Sequence, residues 1–458
     1  MLVWSKSDSI CLPVPESFWQ MTCHIIAVIL IMPKENNKST LTNRKCFLLL
    51  LGFASTVTLL VYLVITTTKP HITSIGKAHA HFNNGQESTA TKEQNVLEGT
   101  FSLVDLILPD GLPLTGVHYH AIGVFCPLDW NLQQKNPSTV PMFRDLIRQS
   151  PHCHHNTIHL DLYTIVQATR QHDQNHNQIH DTTAKKSEQI HPLAVSGFVF
   201  HETRCGSTLV ANILAASTHH RVYSEAGPPL TALQQCHGNN KNNKCNQPAH
   251  DALLKDVFFM MTRSNLQQEH HVFFKFQSIA VHHMSLLTRL FPTTPWIFVF
   301  RNTLEIIMSH LKTPEQTKAV CLRSSMQGGP TTTTMSPTER CAAHLATLCR
   351  AALEEYQQSP NPGYFVNFDQ LPNIMWDVVL PQHFGIPNNK DDQDQMMTVA
   401  NVYSKGRGDK ANQIWKGDTK EKQKQAWDLA RVAADTFVQS SLESMQTLSQ
   451  DKYMEQGQ

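Results

Sequence analysis

Two segments of the chain carry residue types at spacings that suit a phosphate group. The first reads Gly197-Phe198-Val199-Phe200-His201-Glu202-Thr203-Arg204-Cys205-Gly206-Ser207-Thr208-Leu209-Val210. An apolar run enters a turn with one cation, one glycine and two hydroxyls, and a helical pattern follows with Leu209, Val210, Ile213 and Leu214 on one face. The leading N–H groups of a helix have no partners inside it, and the helix dipole favours negative charge there. Gly206 lets the backbone curl closely around an anion. Ser207 and Thr208 either cap the helix or donate to phosphate oxygens. The order of residues differs from the nucleoside-triphosphatase loop, in which lysine follows the second glycine; here the cation, Arg204, precedes the glycine. The plain alternative is an ordinary capped turn with a surface arginine.

The second segment is Trp296-Ile297-Phe298-Val299-Phe300-Arg301-Asn302-Thr303-Leu304-Glu305-Ile306-Ile307-Met308-Ser309. It is another apolar strand ending in arginine, with a serine eight residues later, two helical turns on. Arg301 and Ser309 are placed to converge on a second phosphate at the carboxyl edge of a parallel sheet, where open α/β folds bind ligands. The alternative for Arg301 is a strand-end charge paired with Glu305.

Thr203-Arg204-Cys205-Gly206-Ser207-Thr208 resembles the phosphosulfate-binding loop of the sulfotransferases that use 3′-phosphoadenosine 5′-phosphosulfate (PAPS), and Arg301 with Ser309 resembles the element that holds the 3′-phosphate in those enzymes. The resemblance covers about residues 195–425 and is nearer to the Golgi-type, membrane-anchored members, with Thr203 and Cys205 standing where proline and serine are common. It implies a P-loop-like α/β fold and in-line sulfuryl transfer to a hydroxyl of a glycan or protein acceptor, with PAPS as co-substrate and no obligatory metal. Arg204 would then stabilise the leaving phosphate, and the N–H groups of Cys205, Gly206, Ser207 and Thr208 would hold the phosphosulfate. Glu225, 21 residues after Arg204, closes a strand pattern in Arg221-Val222-Tyr223-Ser224-Glu225 and is the favoured general base; a solvated loop glutamate is its alternative. His201 and Glu202 are secondary candidates, whereas His219 and His220 read as the surface end of a helix. Lys275 and Ser278, at the end of a third strand, are further contacts. Ser404-Lys405-Gly406-Arg407-Gly408 and Lys416-Gly417-Asp418-Thr419-Lys420 resemble, in separated pieces, the basic glycine loop that closes over the nucleotide in that family. Lys405 is accordingly assigned to the nucleotide, with a solvated basic loop as the alternative.

The elements that must position these groups are strands at Gly197–Phe200, Arg221–Ser224, Val272–Phe276, Trp296–Phe300 and Tyr364–Phe368, alternating with helical stretches at 207–217, 249–264, 279–290, 303–312 and 338–357. That alternation predicts a parallel β-sheet flanked by helices. Upstream, Phe101–Leu108 and Val117–Phe125 read as strands and Met142–Arg148 as an amphipathic helix. The Gln/His/Asn-rich segment 171–190 reads as a surface loop or boundary. Downstream, Trp427, Ala430, Ala434, Phe437 and Val438 recur at helical spacing and predict a final packed helix.

The 458 residues carry a formal net charge of +1, so no global field recruits nucleic acid. Cys46 to Thr68 contains no charged residue and is long enough to cross a bilayer as a helix. Lys34, Lys38, Arg44 and Lys45 before it outnumber Lys69 and Lys77 after it, which predicts a cytoplasmic N-terminus and a lumenal remainder. The expected organisation is a cytoplasmic tail at 1–45, a transmembrane signal anchor at 46–68, a stem linker at 69–98, an N-terminal lumenal extension at 99–190 and a catalytic domain at 191–445, in the Golgi membrane. Eight of the eleven cysteines follow the apolar run. A lumenal setting permits them to pair, and Cys236 with Cys245 could close an Asn/Lys loop. The resemblance keeps Cys205 apart as a free thiol.

Three other readings compete. His152-Cys153-His154-His155 and His172, His176 and His180 invite zinc, but their surroundings offer little support for a rigid ligand set. A lumenal glycosyltransferase would use an acidic triplet such as Asp392-Gln393-Asp394, which reads as a polar loop. A noncatalytic nucleotide- or glycan-binding protein of the same fold is the third. Acceptor identity and oligomeric state are not legible in the sequence.

Overall fold

The computed structural model describes residues 88–109, 116–179, 190–236, 246–323, 335–360, 363–387 and 389–454, and these belong to one compact unit. The run read as a membrane span, residues 46–68, lies outside the described residues. Among the described residues no helix is long and apolar enough to cross a membrane. The end of the expected stem instead forms a helix, Thr89–Leu97, whose first turn is capped by Ser88 accepting from the Thr91 N–H at 3.1 Å.

A three-stranded antiparallel sheet comes first: β1 (Phe101–Ile107), β2 (Ile122–Pro127) and β3 (Ile158–Asp161), in that order. The strand expected at Val117–Phe125 is thus displaced towards the C-terminus. Helix α1 (Phe143–Gln149) lies between β2 and β3, and helix α2 (Leu162–Ile179) follows β3. The disulfide Cys126–Cys153 ties this region together. It also commits the cysteine of the His152–His155 cluster. Residues 171–179, expected as loop, belong to α2. Leu162, Ile165, Val166 and Thr169 form its buried stripe, and Asp173 accepts from Arg263 at 3.0 and 2.8 Å. A packed first half and one buried ion pair thus hold a polar segment helical where composition alone argues against it.

The large sheet has five strands, all parallel: β4 (Val195–His201), β5 (His220–Ser224), β6 (His271–Lys275), β7 (Trp296–Phe300) and β8 (Gly363–Asn367), in the order β8-β7-β4-β6-β5. Every residue of β5 and β7 is buried, and the all-apolar β7 reads as a continuous run instead of an alternating one for that reason. Gly363 pairs with Trp296 across β8 and β7, and a Cβ there would collide with the indole ring. The chain leaves β4 towards one edge and later returns to its other side at β7. The two crossovers therefore diverge at the carboxyl end of β4, which is where this kind of sheet opens a crevice.

The flanking helices include, in chain order, α3 (Ser207–Ala215), α4 (Gly227–Leu233), α5 (Gln247–Thr262), α6 (Thr303–His310), α7 (Pro337–Gln358), α8 (Lys390–Ala400), α9 (Thr419–Gln425), α10 (Asp428–Phe437) and α11 (Gln439–Met454), with a further helix, Met284–Leu290, between β6 and β7. Helix α7 starts with a capping box between Ser336 and Glu339 and is tied to the preceding segment by the disulfide Cys321–Cys341. Asp392 and Asp394 lie in α8, in place of the polar loop expected for them. The expected final helix is two, α10 and α11. His220 opens β5 and is buried, its Nδ1 donating to the Leu214 carbonyl at 2.9 Å, so it is not the surface helix end that its neighbours in sequence implied. Cys236 is disulfide-bonded, while Cys245 lies outside the described residues. Cys205 and Cys349 are free and buried.

Candidate active site

The turn after β4 is shaped by two left-handed residues, Arg204 at φ 61° and Gly206 at φ 95°. Glycine takes such a φ freely, but arginine does so at a cost, and strain of this kind gathers at functional sites. Gly206 also packs so closely on Phe368 that a Cβ would collide with that ring. It is the N-cap of α3 and, having no side chain, leaves that helix end without a side-chain cap. Ser207 and Thr208, the first residues of α3, line the cavity.

Arg204 and Arg301 open onto the same cavity, of about 430 Å³, together with Gly206, Ser207, Thr208, Glu225, Ser309 and Lys405. Its cationic lining is Arg144, Arg204, Arg301, Arg323, Lys405, Arg407 and Lys422; among the described residues the lining carboxylates are Glu225 and Asp418. Such an imbalance around one concavity suits a ligand with several negative charges. Cys205 does not line it. Its thiol donates to the Glu202 carbonyl at 3.0 Å and is pushed up to about 12 by burial, so it stays protonated and only its backbone is available to a ligand.

Arg204 is held by a neutral group: its Nε donates to the Ser309 hydroxyl at 3.0 Å. Ser309 therefore stands beside Arg204, where sequence reasoning had joined it to Arg301. Two turns of α6 carry its hydroxyl from the end of β7 across to the β4 turn. His310, which sequence reasoning missed, lies next to it. Its Nε2 is 2.6 Å from the Thr203 hydroxyl, and burial, reinforced by Arg204, holds its pKa down at about 3.

Arg301 is held by charges. Its Nε donates to Glu305 at 2.6 Å, and one terminal nitrogen donates to Asp418 at 2.8 Å and to the Thr419 hydroxyl at 3.2 Å. The guanidinium also lies 4.1 Å from the Phe368 ring centre. Asp418 in turn accepts from Lys422 at 2.7 Å. The pairing with Glu305 posed as the alternative for Arg301 is present, and it coexists with exposure to the cavity.

Glu225 directly follows β5 at the carboxyl edge of the sheet, at φ 56°, with its N–H donating to the Lys275 carbonyl at 2.7 Å. Its carboxylate forms an ion pair with Lys275, which is only 1% exposed. Burial by itself would raise the acid, but Lys275, His201 and Lys405 outweigh it and hold Glu225 down at about 2. Lys405 is lowered to about 8, first by burial and then by Lys275, with Glu225 opposing. The loop bearing it is anchored where the Asn212 side chain donates to the Ser404 carbonyl at 2.8 Å. Arg407 is fixed by Asp145 of α1. Ser278 lines the cavity as well.

The two secondary bases are placed less favourably. Glu202 is completely buried and faces the core side of the turn. His201 reaches the cavity lining, but its Nε2 is 2.8 Å from the Phe276 carbonyl, its Nδ1 contacts the Glu202 carbonyl, and burial followed by Lys275 holds it down at about 3.

No family model matches the sequence, and no curated protein does. Among solved structures, the chain is similar to the sulfotransferase domain of the Synechococcus olefin synthase, at 12% identity and a TM-score of 0.28, over 56% of this chain and 91% of that one. It is also similar to a sulfotransferase from Mycobacterium avium, again at 12% identity and a TM-score of 0.28, over 51% of this chain and 71% of that one. Both overlaps are loose, and nothing about the site rests on them.

Sequence reasoning also missed Lys422, Arg144, Phe368 and the stacked pair Tyr403 and Trp415, whose ring centres lie 5.8 Å apart on the cavity wall. Lys422 had a signal, its position four residues after Asp418 at the start of a helix. Tyr403 and Trp415 each adjoin one of the two basic segments singled out in the sequence, but spacing does not show that their rings stack; Arg144 and Phe368 come from elements distant in sequence and had no signal.

Proposed function

We propose that the chain is a PAPS-dependent sulfotransferase that moves a sulfuryl group to a hydroxyl of a glycan or protein acceptor. The observation that carries this reading is the shared cavity: two strand-end arginines, 97 residues apart, face one cation-rich concavity at the carboxyl edge of a parallel sheet. The open N-terminus of α3 with Arg204 and Lys405 takes the 5′-phosphosulfate, and Arg301 takes the 3′-phosphate. As the acceptor oxygen bonds to sulfur, the bond from sulfur to the bridging phosphate oxygen breaks, and adenosine 3′,5′-bisphosphate leaves. Arg204 and the first-turn N–H groups offset the charge that develops on that phosphate. Glu225 takes the acceptor proton. In the ion pair seen here Glu225 is a weak base, so the reading requires Lys275 to shift from Glu225 towards the bridging oxygen when substrate binds, which frees the carboxylate as it supports the leaving group.

The same reading includes membrane anchoring through residues 46–68 and a Golgi-lumenal site. Supporting it are the disulfides Cys126–Cys153 and Cys321–Cys341, which suit an oxidising compartment. A second reading, a nucleotide- or glycan-binding protein without catalysis, has one observation in its favour: Arg301 is already neutralised by Glu305 and Asp418. Radiolabelled-sulfate transfer by the domain from about residue 95 onward, against a panel of glycans and peptides, separates the two. Glu225→Gln is expected to lose about 10²- to 10⁴-fold in transfer, the range for a general base, while keeping its affinity for adenosine 3′,5′-bisphosphate. A variant that transfers as well as the parent sinks the assignment of Glu225, and a parent that transfers to no acceptor favours the binding protein.

A further inference from the structure

The two arginine-bearing turns touch through a residue that neither motif requires. The backbone ladder between β4 and β7 ends with His201 opposite Val299. Beyond it, the N–H of Arg301 has no strand partner, and a buried N–H without an acceptor is costly. The Glu202 side chain supplies one: its Oε2 accepts from the Arg301 N–H at 3.1 Å. The other oxygen, Oε1, accepts from the Cys349 thiol of α7 at 2.9 Å. The backbone carbonyl of the same residue accepts from the Cys205 thiol. Glu202 is 0% exposed, so no water competes for these bonds. One carboxyl group thus joins the start of the Arg204 turn, the start of the Arg301 turn and a flanking helix.

We infer that Glu202 is a positioning residue that fixes the distance between the two phosphate-holding turns, and so sets preference for a nucleotide phosphorylated at both ends. This rests on the proposed function. Burial also raises its pKa to about 7, with the bonds from Cys349 and Arg301 acting the other way. Each turn also has support that does not involve Glu202: the Arg204 turn has the α3 N-terminus and, from the far end of the helix that follows Arg301, the Ser309 contact, while the Arg301 side chain has Glu305, Asp418 and Phe368. Loss of the Glu202 bond should therefore leave each turn formed but let the spacing between them drift.

The test compares two probes by calorimetry, adenosine 3′,5′-bisphosphate and adenosine 5′-monophosphate. The wild-type chain should prefer the bisphosphate. Glu202→Leu, which keeps the volume and removes both acceptors, should lose about tenfold of that preference, the scale of one charge-assisted contact, with monophosphate affinity unchanged. Glu202→Gln keeps an acceptor for the Arg301 N–H and should retain the preference. Glu202→Asp, which is one methylene shorter, stands in if the leucine variant does not fold, and should show the same loss. Equal weakening towards both probes, an unchanged preference in the leucine or aspartate variant, or no rescue by glutamine overturns the inference. A wild-type chain with no preference for the bisphosphate overturns the proposed function instead.

Discussion

The Arg204 turn and the Arg301 turn end neighbouring strands and face the same cavity, yet their electrostatic states are opposite. Arg204 touches a hydroxyl, sits beside an uncapped helix N-terminus and is solvent-exposed. Arg301 is buried between two carboxylates and stacked on Phe368. An anion can dock at the first turn without displacing any charged partner. At the second it must compete with Asp418, the more exposed of the two carboxylates on Arg301. The lesson is that a matched pair of motifs in sequence need not be a matched pair of sites. Which turn is ready for a phosphate depends on what the rest of the chain has already placed against its cation.

The contrast can be tested by removing each arginine. Arg204→Met is expected to lower transfer by about 10²- to 10³-fold through kcat, as removal of a group that offsets developing charge does. Arg301→Met should act mainly on KM for the nucleotide, because its partner phosphate does not change charge during the reaction. Steady-state kinetics on both variants decides it, and the comparison breaks if the two respond alike.

A smaller effect sharpens the asymmetry. Asp418→Asn removes the carboxylate that bridges Arg301 and Lys422, and adenosine 3′,5′-bisphosphate should then bind about two- to fivefold more tightly, the scale of a partly exposed ion pair. Weaker binding would show that Asp418 holds Arg301 in its working position and does not compete with the ligand.

The smallest effect concerns pH. Burial holds the Glu202 acid at about 7 against an ordinary 4.5, so between those values the folded chain keeps a proton that the unfolded chain has released. Stability from this group is present below about pH 4.5 and is lost as pH rises to about 7. Glu225, at about 2, works in the opposite direction: its contribution is present above pH 4.5 and is lost as pH falls towards 2. Urea unfolding between pH 4.5 and 7 should therefore show a flatter slope for Glu202→Gln than for the parent. Parallel slopes would mean that Glu202 is already ionised across that range.

Much of the sheet was legible because most of its strands are short, largely apolar and buried, and are bounded by helical periods: Trp296–Phe300 has the same bounds in sequence and structure, and the others differ by one or two residues. Segment 171–179 was not, because its helicity comes from Arg263, far along the chain, meeting Asp173. Nor was the position of Ser309, since helical spacing fixes its distance from Arg301 along α6 but not which neighbour lies across the crevice.

By itself the sequence determined the alternation of strands and helices, and with it which residues end strands and open helices, because local periodicity and turn chemistry act over a few residues. That placed Arg204, Glu225 and Arg301 at the carboxyl edge of one sheet. Only the tertiary structure decided their charge partners: Lys275 for Glu225, Asp418 and Glu305 for Arg301, and Ser309 for Arg204. Except for Glu305, those partners come from elements separated by long loops, and electrostatic state depends on distance and burial in space, which spacing along a chain does not encode.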